Sequence, residues 1–138
     1  MGQASATHEE LGHLFAKAAE ARDVEVLVPL YHPDAQFWNN VLNQVSDTAH
    51  AVELTHLEAQ LIASYVFEDL RITATDLGFV LQTTITGSTN SGNSFSIGTC
   101  LVVQAKDGLI MRIDEYVDSA QITPIFTELL AARGEGGA

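Results

Sequence analysis

The last apolar segment of the chain carries a carboxylate where a hydrophobic side chain is expected. Residues 109–118 alternate in character, which predicts a β-strand whose successive side chains point to opposite faces. Glu115 then shares its face with Ile113 and Val117. A carboxylate there is unfavourable unless it is paired or protonated, and a raised carboxyl pKa suits general acid–base catalysis. Glu115 is therefore the first candidate catalytic residue, Asp114 is its register-shifted alternative, and a position that reaches solvent is the competing explanation.

Two further positions have side chains suited to a ligand pocket. Trp38 and Asn39 end a short predicted strand, where tryptophan offers a large amphipathic surface and asparagine both a donor and an acceptor. A core tryptophan followed by a turn-forming asparagine explains the same residues without a ligand. Cys100 falls on one face of the strand predicted for residues 94–105, together with small Gly98, which leaves room for a ligand. A small buried core residue is the favoured explanation for Cys100, since no base marks it as a nucleophile.

Several kinds of chemistry are not indicated by the sequence. The five histidines, His8, His13, His32, His50 and His56, show no metal-ligand spacing, and no CxxC motif is possible with a single cysteine. The chain has no P-loop, no GxGxxG and no GxSxG motif. We therefore expect neither a metal nor a cofactor.

The composition excludes several classes of partner. The chain has 138 residues, with six Lys+Arg against eighteen Asp+Glu, a formal net charge of −12, and 46% hydrophobic residues. This size predicts one domain, and the hydrophobic content predicts a folded core. The negative charge argues against binding to nucleic acid or to anionic membranes. One cysteine and no readable signal peptide or membrane span lead us to expect a cytoplasmic protein.

The hydrophobic periodicity places helices first and strands later. It predicts helices over His8–Ala21 with Thr7 as N-cap, Asp23–Tyr31 with a doubtful last turn at Pro29, Asp47 or Thr48 to about Ser64, and Gln121–Arg133. It predicts strands over Ala35–Trp38, Phe67–Asp76, Gly78–Gly87, Ser94–Ala105 and Leu109–Asp118, with a hairpin turn at 106–108 and a frayed tail over 134–138. This order is typical of an α+β fold with helices on one face of an antiparallel sheet.

Two sequence patterns resemble a known family. The stretch Tyr31-His32-Pro33-Asp34-Ala35 and the segment Asp107-Gly108-Leu109-Ile110-Met111-Arg112-Ile113-Asp114-Glu115-Tyr116-Val117-Asp118 resemble the SnoaL-like polyketide cyclases, within the superfamily of nuclear transport factor 2, ketosteroid isomerase and limonene epoxide hydrolase. The resemblance implies a single domain over residues 1–138 with its core at about 8–130. It implies a cone-shaped α+β barrel, a curved antiparallel sheet, a pocket between the long helix and the sheet, and a homodimer.

The positions of the catalytic residues of ketosteroid isomerase can be matched to this sequence, but the residue types differ. The resemblance places its oxyanion-hole tyrosine at Phe15, its catalytic aspartate at Asn39 and its protonated aspartate at Cys100. None of these three residues can perform the corresponding role. Isomerisation by that mechanism is therefore not expected.

Limonene epoxide hydrolase is matched in part. Its water-positioning asparagine falls at Asn39 and one of its carboxylates at Glu115, so both groups are kept. Its tyrosine falls at Phe37, and its arginine and second aspartate fall near residues 83–86, where this chain has threonines. Epoxide opening would then need a different acid.

A function like that of the SnoaL-like cyclases requires the fewest catalytic groups, and it is the leading hypothesis. The resemblance implies an acidic residue on the last strand, here Glu115, that moves a proton beside an apolar pocket without metal or cofactor. The expected function is isomerisation, cyclisation or elimination on a hydrophobic oxygenated small molecule, with Asn39 holding its oxygen or a water. The expected pocket residues are Trp38, Phe15, Cys100, Asp114, Val52 and Leu57.

Two alternatives remain open at this stage. One is a hydrolase of the epoxide hydrolase type that keeps Asn39 and Glu115 but uses water as nucleophile. The other is a non-catalytic module for small-molecule binding or dimerisation, which a sealed pocket or a solvent-directed Glu115 would favour.

Overall fold

The computed structural model describes residues 2–132, with side chains from Thr7 onward. The helices are α1 (Gly2–Ala21), α2 (Val24–Leu27), α3 (Thr48–Leu61) and α4 (Ser119–Ala132), and a 3₁₀ turn (Val28–Leu30) follows α2. The strands are β1 (Tyr31–Asn39), β2 (Val45–Ser46), β3 (Ile62–Ala74), β4 (Gly78–Thr89), β5 (Ser94–Lys106) and β6 (Leu109–Val117). No helix in this part of the chain is long and apolar enough to span a membrane.

Local signals in the sequence account for most helix boundaries. The Asp23 carboxylate accepts a hydrogen bond from Val26 N (3.3 Å), and the Asp47 carboxylate accepts one from His50 N (3.0 Å), so both residues act as N-caps. The prediction of an N-cap at Thr7 is wrong, because α1 already includes that residue. Pro29 lies in the 3₁₀ turn, which ends the second helix earlier than predicted. The predicted frayed tail lies outside the described residues.

The sheet confirms the α+β class and corrects two details of it. The strand order is β2-β1-β6-β5-β4-β3. All neighbours are antiparallel except β1 and β6, which run parallel, so the sheet is mixed. A parallel pair needs a long crossover connection, and here the chain between the two strands includes α3 and the four other strands of the sheet. The sheet is curved but not closed, since β2 and β3 form its two edges.

Two apolar clusters join the helices to one face of the sheet, which we call the inner face. One cluster joins Leu11, Phe15, Ala16 and Ala18 of α1 to Phe79, Leu81, Leu101, Val103, Ile110 and Ile113. The other joins Ile125 and Leu129 of α4 to Ile62, Ile97 and Val117. Between the clusters the inner face carries Thr83, Thr99 and Glu115, which are polar. The core therefore has a polar gap in its middle.

A side-chain amide fastens the ends of β1 and β6 together. Asn40 Nδ2 donates to the carbonyl oxygen of Val117 (3.0 Å), and Asn40 Oδ1 accepts from Val117 N (2.9 Å). The main-chain N–H of Asn40 donates to the carbonyl oxygen of Glu115 (3.1 Å). The amide side chain thus continues the strand pairing beyond the end of β1 and holds the β6 segment that carries Glu115.

Replacing this amide should weaken the fold. We expect Asn40→Ala to lower the free energy of unfolding by about 1–3 kcal/mol, because it leaves the N–H and carbonyl of Val117 without their partner. Asn40→Asp keeps an acceptor for the N–H but sets an oxygen against the carbonyl, so it should be destabilising as well. Urea unfolding monitored by circular dichroism measures both, and a change below about 0.5 kcal/mol in both variants would contradict this role.

Candidate active site

A cavity of about 870 Å³ opens between α1, α3 and the inner face of the sheet. Its volume is in the range of small-molecule sites. Much of its lining is apolar and comes from six different elements, with Phe15, Phe37, Leu54, Leu81, Leu101 and Ile113 among the lining residues. Leu42 and Val45 also line it, although their side chains are 46% and 53% exposed, so they border the opening.

Glu115 faces this cavity from β6, as the strand pattern indicates. Its register partner is Asn39 on β1, and Ile113 precedes it on the same face. The carboxylate has no hydrogen bond or ion pair among the described residues, yet its oxygens are not sealed by protein atoms, so they are open to the cavity. Burial raises the pKa of Glu115 to about 7, because the surrounding protein disfavours the charged form.

A second carboxylate, Glu58 on α3, faces the same cavity. Burial raises its pKa to about 7, the charge of Glu115 raises it as well, and Arg22 acts in the opposite direction. Glu58 is absent from the site residues predicted above, although the sequence contains a signal for it. Glu58 ends the stripe Ala51, Leu54, Thr55 and Glu58, whose spacing places all four on one side of a helix, and all four line the cavity.

Arg22 and two tyrosines complete the ionisable cluster. The Arg22 guanidinium carbon lies 5.1 Å from the ring centroid of Tyr65, and Arg22 Nη1 donates to the carbonyl oxygen of Ile62 (3.0 Å). Burial, followed by the charge of Glu58, raises the pKa of both Tyr31 and Tyr65 above the ordinary tyrosine value. Both phenols are therefore neutral hydrogen-bonding groups at physiological pH.

Asn39 lines the cavity, but the oxygen of its side-chain amide stabilises the local turn. Its Oδ1 accepts hydrogen bonds from Val41 N (3.0 Å) and Leu42 N (2.8 Å), which closes the turn after β1. Its Nδ2 makes no hydrogen bond among the described residues. The amide nitrogen remains available as a donor, whereas the oxygen does not.

The two predicted aromatic pocket residues have different positions. Phe15 is buried in the wall, where its ring lies 6.1 Å from that of Phe79. Trp38 borders the cavity, but its indole packs edge-on against Tyr116 at 5.2 Å, and its Nε1 donates to Asn43 Oδ1 (3.0 Å). Tyr116 lies on the outer face of the sheet, so the indole ring does too.

Cys100 and Asp114 are not in this cavity. The inner residues of β5 include Thr99 and Leu101, so Cys100 lies on the outer face, beside a small separate groove. The predicted choice of face was wrong because the bulkier alternate residues of β5 are the ones that pack against the helices. Asp114 also points outward, where its Oδ1 accepts from Arg112 Nε at 2.8 Å.

Val52 and Leu57 are also outside the cavity lining. Leu57 packs against the second apolar cluster, near α4. Val52 lies between Ala51 and Leu54 of the cavity-facing stripe, and the helical rotation turns it about 100° from Ala51 and about 200° from Leu54. Hydrophobicity alone was a poor guide here, since the stripe of α3 that faces the cavity includes Thr55 and Glu58.

Metal ligands do not come together in the described part of the chain. No group of three His, Cys, Asp or Glu side chains there has the proximity that a metal ion needs. Glu58 and Glu115 are two carboxyl groups with an arginine nearby, which favours proton transfer over metal binding.

The chain belongs to the SnoaL-like domain family, whose model matches residues 12–113. This range includes α3, Glu58 and most of the cavity wall, and it ends two residues before Glu115. A comparison with curated proteins finds no significant sequence match.

Solved structures show the same fold at low sequence identity. PrhC from Penicillium brasilianum NBRC 6234 has a TM-score of 0.76 at 14% identity, covering 96% of this chain and 93% of PrhC. An LEH-like epoxide hydrolase of M. tuberculosis has a TM-score of 0.73 at 15% identity, covering 93% and 95%. An NTF2-like protein from Burkholderia xenovorans LB400 has a TM-score of 0.72 at 15% identity, covering 87% and 95%. These likenesses establish the fold.

The raised carboxyl pKa values predict a stability that falls as pH rises. Between about pH 4.5 and 7 the folded protein holds protons that the unfolded chain has released, so the free energy of unfolding decreases across this window. We expect Glu58→Gln and Glu115→Gln each to be more stabilising at pH 8 than at pH 5, by about 1–3 kcal/mol.

Urea unfolding at the two pH values measures this difference. Asp114→Asn serves as the control, because Asp114 is on the outer face and its replacement should have a similar small effect at both pH values. Equal effects at pH 5 and pH 8 in both glutamine variants would contradict the raised pKa values.

Proposed function

We propose that this protein is a cofactor-independent enzyme that transfers protons on a hydrophobic, oxygenated small molecule. The observation that supports this most strongly is the presence of two carboxyl groups, Glu58 and Glu115, in one largely apolar cavity. Their pKa values of about 7 match the range in which general acids and bases work best near neutral pH.

The two carboxyl groups share a proton, so that one can act as the base and the other as the acid. Because each carboxylate charge disfavours the other, the pair holds about one proton near pH 7, and its titration belongs to the pair. Arg22 favours the ionised form of Glu58, whereas no cation among the described residues opposes the effect of burial on Glu115. We therefore assign Glu58 as the base that removes a proton and Glu115 as the acid that returns one.

The cavity suits a neutral substrate of moderate size. Its walls combine apolar and polar groups, and the amide nitrogen of Asn39 is a hydrogen-bond donor there. The hydroxyls of Thr83 and Thr99 donate to the carbonyl oxygens of Glu68 and Ile97, so they remain available only as acceptors. Asp34 and Asp47 line it near the opening, where they disfavour anions. Asn39 Nδ2 can donate to a substrate oxygen. The predicted role of Asn39 is therefore assigned to its amide nitrogen alone.

An open cavity favours catalysis over the non-catalytic alternative. A module that only binds or dimerises has no need for two desolvated carboxyl groups whose charges repel each other. Glu115 also faces the cavity and not solvent, which was the condition that separated the two hypotheses.

Epoxide hydration is the second candidate, and Glu58 is the observation that favours it. The sequence match left this reaction without an acid, and the carboxyl pair provides one group to activate water and one to protonate the epoxide oxygen. With limonene oxide and styrene oxide as probes in ¹⁸O-labelled water, a hydrolase would form a diol that carries one labelled oxygen, as mass spectrometry would show. We expect no diol above the uncatalysed level, and enzymatic labelled diol would favour this second function.

The principal prediction concerns a base-catalysed elimination. With 5-nitrobenzisoxazole, whose ring opens when a base removes its C–H proton, we expect catalysis above that of free acetate at equal concentration, because burial makes the carboxylate more basic. Glu58→Gln should reduce the rate by about 10²–10⁴-fold. Glu115→Gln should reduce it less, since it removes the acid and leaves the base.

The release of the coloured phenolate measures these rates directly. Asp114→Asn is the matched control, one residue from Glu115 but on the outer face, and it should keep the wild-type rate. A wild-type rate in Glu58→Gln would refute the assignment of the base, and wild-type protein no faster than acetate would refute the proposed function.

A further inference from the structure

Arg22 occupies a backbone position that disfavours it. Its φ is 52°, and the N–H groups of Arg22 and Asp23 donate to the carbonyl oxygens of Ala19 (3.1 Å) and Ala18 (2.9 Å). This is the Schellman motif that ends a helix, in which glycine is usual at the left-handed residue. The other positive-φ residues are Asn43, Asp69, Asp107, Gly92 and Gly108, types that tolerate this conformation. Strain of this kind points to a side chain that is needed where it stands.

The Arg22 side chain brings a cation into the cavity and leaves most of its donors unused. A guanidinium has five N–H donors, and the described residues provide one acceptor, the carbonyl oxygen of Ile62. Nε is buried without a partner, and no carboxylate in the described part of the chain lies within 4 Å. Arg22 is also the one Lys or Arg among the described residues that line the cavity. Nε is sealed by protein atoms, but Nη2 makes no hydrogen bond among the described residues and is not sealed, so its donors are a strong site for an oxygen that carries negative charge.

The distribution of charge in the cavity changes during proton transfer, and this change determines when such a donor is required. At rest the shared charge of Glu58 and Glu115 balances Arg22. When Glu58 takes a proton from a carbon next to a carbonyl group, the C–H electron pair forms a C=C bond and the carbonyl π electrons move onto oxygen. The carboxyl pair is then neutral, and the negative charge lies on the substrate oxygen. Arg22 is the cation that remains to stabilise it, in a setting of low dielectric where such contacts are strong.

The groups that face Arg22 come from several elements. Glu58 faces it from α3 and Tyr65 from β3, while Glu115 on β6 and Tyr31 on β1 lie near Glu58. Glu20, two residues before Arg22, is engaged elsewhere, since its Oε2 accepts from Phe67 N (2.7 Å). The negative charge near Arg22 is thus the charge that the reaction moves.

We propose that Arg22 binds the substrate oxygen atom that becomes negatively charged during turnover. The proposal rests on the proposed function, because it takes the carboxyl pair as the proton acceptor. It makes Arg22 a catalytic residue and explains why an arginine stands where a glycine would fit the backbone better.

The test uses 4-nitrophenol, whose absorption spectrum separates the neutral phenol from the phenolate. We expect wild-type protein to bind the phenolate in preference to the phenol at pH 7, with the released proton taken up by the carboxyl pair or by solvent. Arg22→Gln, which has the same backbone strain but no charge, should lower the ratio of phenolate to phenol affinity about tenfold or more. Arg22→Lys keeps a charge and should retain most of this preference.

The Arg22→Gly variant distinguishes the contribution of the side chain from that of the backbone conformation. Glycine adopts the left-handed conformation freely, so a role confined to chain reversal would leave both the Tm and the phenolate preference unchanged or improved. We expect the preference to be lost in this variant. An unchanged preference in Arg22→Gln and Arg22→Gly would overturn the proposal, and if Arg22→Gln does not fold, the glycine and lysine variants decide.

The two proposals fail in different ways. Nitrophenol binding needs no turnover, whereas the benzisoxazole reaction reports on the base. Elimination by wild-type protein without an Arg22-dependent phenolate preference would overturn the oxyanion role and leave the proposed function intact. An Arg22-dependent preference without elimination would support the oxyanion site and refute the proposed acid–base function.

Discussion

Two carboxyl groups held away from bulk water set the main constraint on this structure. Glu58 and Glu115 lack hydrogen-bond partners in the described chain, and burial raises the pKa of both. Each is a net cost to folding at neutral pH, which the apolar clusters on either side must offset. Stability and reactivity are therefore opposed at the same two residues, as is common in active sites.

The parallel pairing of β1 with β6 places the remaining groups around this pair. It sets Asn39 beside Glu115 and continues through the side chain of Asn40, which bonds both main-chain groups of Val117. From the other side, the Schellman turn after α1 directs Arg22 towards Tyr65 and Glu58. Each group comes from a different element, so small shifts between elements would change the electrostatics of the site. The hydrogen bonds at the ends of β1 and α1 limit such shifts.

Sequence patterns were reliable where one face of an element differs sharply from the other. On β6, buried Ile113 and Val117 alternate with the outward Asp114 and Tyr116, and Glu115 was placed on the correct face. On β5 the two faces differ less, and Cys100 was placed on the wrong one, since size and not polarity decides which residues pack against the helices. On α3 the expected pocket residues Val52 and Leu57 are hydrophobic, but the stripe that faces the cavity ends in Glu58.

The sequence by itself determined the α+β class, the family resemblance, the start of a helix near Asp23 and of another at Asp47 or Thr48, and the exceptional position of Glu115. These features depend on local periodicity and on residues close together in the chain. The tertiary structure alone decided that β1 runs parallel to β6, that Glu58 and Glu115 share a cavity, and that Arg22 is the cation beside them. Those facts depend on contacts between residues far apart in sequence, and a pKa is set by all the charges and the burial around a group. The residue pattern within one element contains no information about long-range contacts or about the surroundings that set a pKa.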